Sequence, residues 1–123
     1  MKLTTHPYTL HLLSDDINEM VRIRVAENPN TYPKTLEKLN NDVNDFVRSY
    51  VVGNQNTPVE ILEKLSKDEC EGVRVRVAEN LNTPIKTLER LSEDENEWVR
   101  SKAKVMIERM SQMEYYNNRY MLS

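Results

Sequence analysis

Four arginines stand 26 residues apart: Arg22, Arg48, Arg74 and Arg100. Each follows a valine directly, and each lies six residues after an aspartate (Asp16, Asp42, Asp68 and Asp94). A guanidinium offers a planar fork of donors that matches a carboxylate or a phosphate. Two chemistries follow. The arginines form a ladder for a phosphate backbone, or each forks onto a carboxylate of its own or the adjoining unit while the aspartate caps the next helix. The pairing is locked in position at every step, and repeated units need bonds between neighbours, so the structural chemistry is the expected one. Asn28, Asn54 and Asn80 form a second ladder, each followed two residues on by Asn30, Asn56 and Asn82. They either face a ligand or satisfy backbone groups in a turn, and asparagine's local bonding habit favours the turn.

Other chemistry is thin. His6 and His11 are five residues apart, a spacing that does not share a helix face. No serine or cysteine has a paired base in pattern, so the reading is non-enzymatic, with no catalytic, cofactor or metal residues assigned. The single cysteine, Cys70, cannot make an internal disulfide, and one thiol makes no zinc or iron–sulfur site. A lone thiol, an N-terminus without signal-peptide character and no membrane-length apolar run give a cytoplasmic expectation.

The elements that position these residues repeat with them. Leu10, Leu36, Leu62 and Leu88 fall in register, as do Leu13, Leu39, Leu65 and Leu91, and Thr5, Thr31, Thr57 and Thr83. One unit reads from Thr57. In TPVEILEKLSKD, Thr57 is the predicted N-cap, Pro58 the first helical residue and Glu60 the partner in a capping box. Ile61, Leu62 and Leu65 give that helix an apolar face. EGVRVRVAEN is a second short helix with Val73, Val77 and Ala78 as its stripe and Asn80 as a left-handed C-cap. Its valines lower its propensity, so part of it is open to tightening into a 3₁₀ turn. Gly72, where other units have Met20, Phe46 and Trp98, predicts a gap or a close backbone approach. A 26-residue unit cannot bury enough to fold alone, so units must share faces.

The chain has 123 residues, 30% charged and 38% hydrophobic, with two glycines and a net charge of −3. That composition suits one all-α domain built of small stacked cores and argues against a turn-dense β fold or a glycine-rich phosphate loop. We read residues 1–123 as a single domain with units at about 5–30, 31–56, 57–82 and 83–105. The last unit puts Met106 and Glu108 where the two asparagines would stand. Residues 98–114 are therefore predicted to run on as one longer capping helix, followed by an aromatic tail at 115–123 containing Tyr115, Tyr116, Arg119, Tyr120 and Met121.

The pattern VRxxVAxNxNTPxxxLxxLxxD resembles the leucine-rich repeat variant family, a HEAT-like helical repeat. Val21, Arg22, Val25, Ala26, Asn28, Asn30, Thr31, Leu36, Leu39 and Asp42 carry it, with their equivalents 26 and 52 positions on. The resemblance covers about residues 5–105. It implies a right-handed α-solenoid of short paired helices, some of them 3₁₀, and a scaffold or binding role without chemistry. This chain departs from it in a slightly longer period and in the lost Asn-x-Asn-Thr-Pro segment of the last unit.

Positions that vary between units are the candidate site. Arg24, Tyr50, Arg76 and Lys102 lie off the apolar stripe of the second helices, with Glu27, Gly53 and Glu79 beside them. The resemblance places these helices on a concave side. Arg and Tyr are common interface anchors, so this row predicts a protein partner. The alternative is a nucleic acid held along Arg24, Arg76, Lys102 and Lys104, weakened by Glu27 and Glu79. In the last helix Val99, Ala103, Met106, Met110 and Met113 form a seam spaced 4, 3, 4 and 3. That seam either caps the last unit or makes a homodimer or partner-helix contact through Met106, Met110 and Met113.

Overall fold

The computed structural model describes residues 6–120. Thr5 and Met121 lie outside the described residues. Among these residues the fold is all helical, with eight helices and no strand: α1 (Pro7–Leu13), α2 (Glu19–Glu27), α3 (Pro33–Leu39), α4 (Asp45–Gly53), α5 (Val59–Leu65), α6 (Glu71–Glu79), α7 (Ile85–Leu91) and α8 (Glu97–Tyr120). The even-numbered helices pack on one another in chain order, α2 on α4, α4 on α6 and α6 on α8. The odd-numbered helices are seven residues each; α1 packs on α2, and α3, α5 and α7 each contact the even-numbered helices before and after them.

The predicted apolar positions make the core. Leu10, Leu36, Leu62 and Leu88 are buried, as are Val25, Val51, Val77 and Ala103, and Val47, Val73 and Val99. A helix of seven or nine residues is too short to persist alone in water. What holds these helices is the burial of one stripe from each against its neighbours.

The caps differ from expectation in four ways. All eight helices are α-helices; no 3₁₀ helix occurs among the described residues. Thr57 does not cap α5. Pro58 holds the N-cap position, α5 starts at Val59 without a side-chain cap, and Glu60 completes no capping box. The Thr57 hydroxyl instead donates back to the Val51 carbonyl at the end of α4 (2.5 Å), as Thr31 does to Val25 and Thr83 to Val77 (both 2.6 Å). Asn80 is not left-handed: its φ is −72° and ψ 128°, and no described residue has positive φ. Its amide is engaged elsewhere, as set out below, and extended backbone aims it there.

The fourth difference concerns the aspartates. Each lies two residues before the N-cap, and its carboxylate accepts the amide two residues on: Asn18 (2.8 Å), Asn44 (3.0 Å), Cys70 (2.9 Å) and Asn96 (2.9 Å). The capping is done by Asn18, Asn44 and Asn96, which accept from Met20, Phe46 and Trp98 amides at 2.8–2.9 Å. Cys70 occupies the same position in α6 and supplies no cap bond. Gly72 is neither a tight approach nor strained: an added Cβ would meet only Cys70 Sγ, at 3.6 Å.

Candidate interaction surface

The four second helices hold every residue of the predicted row, and the bonds between units fix how those helices sit. Arg48 Nε and Nη2 donate to both oxygens of Asp68 (2.8 and 3.1 Å), and Arg22 and Arg74 do the same to Asp42 and Asp94. The carboxylate therefore comes from the adjoining unit, 20 residues on. The aspartate six residues before the arginine contributes only its backbone carbonyl, to Nη1: Asp16 for Arg22 (2.9 Å), Asp42 for Arg48 and Asp68 for Arg74 (both 2.8 Å). These forks are nearly enclosed, with Arg48 and Asp68 side chains only 12% and 8% exposed. Bonding to Asp42, Asp68 and Asp94 raises the pKa of Arg22, Arg48 and Arg74 above the ordinary arginine value. Burial alone would push the Asp94 carboxyl up, but the Arg74 bonds, the Asn96 amide and the nearby positive charges outweigh it, and the net shift is down.

The asparagine ladder is likewise a bond between units. Asn54 Nδ2 donates to the carbonyls of Ala26 (2.8 Å) and Asn28 (3.0 Å), and Asn80 Nδ2 to Val52 (2.6 Å). Their Oδ1 atoms accept the Asn56 and Asn82 amides (2.8 and 2.7 Å). The turn reading holds for both.

The predicted row is brought together in part. The Arg76 guanidinium lies over the Tyr50 ring, 5.7 Å from its centre, and an added Cβ at Gly53 would stand 3.6 Å from Arg76 Nη1. Lys102 Nζ is 3.6 Å from Glu79 Oε2, which joins α8 to α6. Arg24 instead pairs along its own helix with Glu27 (3.5 Å). Arg24 and Arg76 are exposed, Tyr50 and Lys102 half-buried.

Sequence reasoning passed over a second surface. Ile17 (98% exposed), Met20, Val43 (94%) and Phe46 are large apolar side chains left in solvent at the starts of α2 and α4. Asn44 Nδ2 donates to Glu19 Oε2 (2.6 Å) and ties these two helix starts side by side. The signal was in the register: positions 17 and 43 are apolar where 69 and 95 are glutamate. On α8 the seam is split. Val99, Ala103 and Met106 are buried in the core, while Met110 and Met113 are exposed and line a groove with Ile85, Glu114 and Asn117. The Tyr116 and Tyr120 rings lie 4.5 Å apart near its end.

His11 Nδ1 is 2.6 Å from Thr35 Oγ1, a contact between α1 and α3, and Cys70 Sγ donates to Asp45 Oδ2 (3.2 Å). Among the described residues no three His, Cys, Asp or Glu side chains are grouped to hold a metal. No helix of the described residues is long and apolar enough to cross a membrane. No family model, curated protein or solved structure matches the chain.

Proposed function

We propose that this protein is a non-enzymatic interaction module: a right-handed α-solenoid of 26-residue units, of the leucine-rich repeat variant kind, that presents a surface to a protein partner. The observation that carries the reading is the apolar edge of Ile17, Met20, Val43 and Phe46. Contiguous apolar side chains left in water mark binding sites. The row of Arg24, Tyr50, Arg76 and Lys102, on the concave side of such a solenoid, supplies the specificity, with a stacked Arg–Tyr pair of the kind that anchors interfaces. Ion pairing of Arg24 with Glu27 and of Lys102 with Glu79 lowers the positive potential along the row, so a protein fits it better than a nucleic acid. The exposed methionines of α8 offer a further contact for a homodimer or a partner helix.

Affinity capture from the native cytoplasm with the tagged chain tests this. We expect Val43→Ser with Phe46→Ser to lose the captured protein, and Arg24→Ala with Arg76→Ala to weaken its retention. A partner retained equally by all these variants would overturn the assignment of the surface. Capture of nucleic acid alone, released by moderate salt, would overturn the choice of partner.

A further inference from the structure

Arg100 is the one arginine of the ladder whose fork has no carboxylate among the described residues. Its Nη1 is held as in the other units, donating to the carbonyls of Asp94 (2.8 Å) and Glu95 (3.0 Å). Arg74 makes the same two bonds, to Asp68 (2.8 Å) and Glu69 (3.3 Å). The guanidinium is therefore posed in advance, with its Nε and Nη2 edge left over. In the three preceding units that edge holds an aspartate at 2.7–3.2 Å. Here the residue 20 positions on is Tyr120, in the same unbroken helix α8. At a rise of ~1.5 Å per residue it lies about 30 Å along the axis and cannot fold back.

The surroundings suit an anion and not another apolar unit. Ala26, Val52 and Ala78 are fully buried at one register position, and there α8 carries the exposed Lys104. Val75 is buried where α8 carries the exposed Ser101. Lys104 lies one turn from Arg100 on the same face and adds a second positive charge, set against the acids Asp94 and Glu97 on the N-terminal side, so any preference for a carboxylate comes from the fork's geometry. A posed guanidinium loses little freedom on forming both bonds, and that raises its affinity over that of a free side chain.

We infer that Arg100 is a carboxylate-binding site for an aspartate on a partner protein, presented in the same turn that Asp42, Asp68 and Asp94 adopt within the chain. The inference rests on the protein-binding reading above, but its test does not. The probe is a capped peptide of the chain's own turn, Asn41-Asp42-Val43-Asn44, with its Asp42→Asn analogue and inorganic phosphate as comparisons. The readout is the arginine Nε–Hε signals of the full chain by NMR at constant ionic strength.

The peptide should move the Arg100 signal saturably and about fivefold or more tightly than those of the exposed Arg109 and Arg119, because two-pronged contact is geometric and not merely electrostatic. Arg22, Arg48 and Arg74, already occupied, should stay still. The Asn analogue should do nothing. In Arg100→Lys the peptide's effect on the Ser101 amide should vanish, with the circular dichroism spectrum unchanged. An Arg100 response no stronger than that of Arg109, or equal for the Asn analogue, would overturn the proposal. Tighter binding of phosphate than of the peptide would also overturn it, in favour of a phosphate ligand. Neither result touches the capture experiment, whose variants at Arg24, Val43, Phe46 and Arg76 leave Arg100 in place.

Discussion

The inner units and the α8 end start from the same residues and finish differently. From α2 to α6, each Val-Arg is followed by a turn, a short helix and a second turn that returns an aspartate to the arginine. The turns after α4 and α6 are locked by Asn54 and Asn80, which reach back to the preceding unit's carbonyls. At α8 the asparagine position holds Met106, which is buried, and the helix continues to Tyr120. Loss of the Asn-x-Asn-Thr-Pro segment therefore removes the turn and, with it, the aspartate that would have come back to Arg100. The contrast shows that bonds between units depend on the turn, and that propagation stops when a side chain able to satisfy carbonyls across the gap is replaced by one that fills space.

The sharpest break should come from the shared core. Leu62→Ala should cost about 2–5 kcal/mol, since Leu62 is fully buried and its truncation leaves a cavity. Met113→Ala, 61% exposed, should stay within about 0.5 kcal/mol. Urea unfolding of both variants measures the difference. Next come the forks. Arg74→Ala removes two bonds to a nearly enclosed carboxylate and should cost about 1.5–3 kcal/mol. Arg100→Ala loses only bonds to two carbonyls at a wetter site, so it should cost less than about 1 kcal/mol. Equal losses for the two would remove the distinction between inner units and end.

The cap of α6 sharpens the comparison among inner units. Cys70→Asn should stabilise the chain by about 1 kcal/mol in thermal unfolding, because the side chain would accept the amide of Gly72 as Asn44 accepts that of Phe46. The smallest effect is that of acid. The Asp94 carboxyl titrates lower in the folded chain than in the unfolded one, so its contribution is complete above the ordinary value of about 4. That contribution fades as pH falls through the lowered folded value. Asp94→Asn should lose less stability between about pH 6 and pH 3 than the parent, read from urea midpoints.

Much of this fold was legible. Coincident leucines and valines marked which faces are buried, and the lost asparagines marked that the last helix runs on, although it continues past the expected end at 114 to Tyr120, through most of what reads as a tail. The forks were legible only as a choice. Aspartate recurs every 26 residues, so the one six before each arginine and the one twenty after it share a single register. Only the backbone path decides between them. The threonines were misread because a Thr-Pro pair looks like a helix start. Yet Thr31 keeps its place where the proline moves to Pro33, and a residue that ignores the proline serves the helix behind it. The apolar edge was missed for a different reason. Ile17 and Val43 interrupt no periodic stripe, so a search for buried faces passes over them.

The forks span 20 residues and the asparagine bridges 26 to 28, and both distances belong to the repeat and not to any one place in the chain. Excision of a whole 26-residue block between equivalent points, from Asp45 to Cys70 for example, would leave Arg22 with Asp42 and Arg74 with Asp94, and would hand Asn80 the Ala26 carbonyl in place of that of Val52. A single-residue insertion would instead put two neighbours out of phase. Length in such a chain is free to change by in-frame copying and hardly at all by ones and twos, so its descendants should differ by whole units.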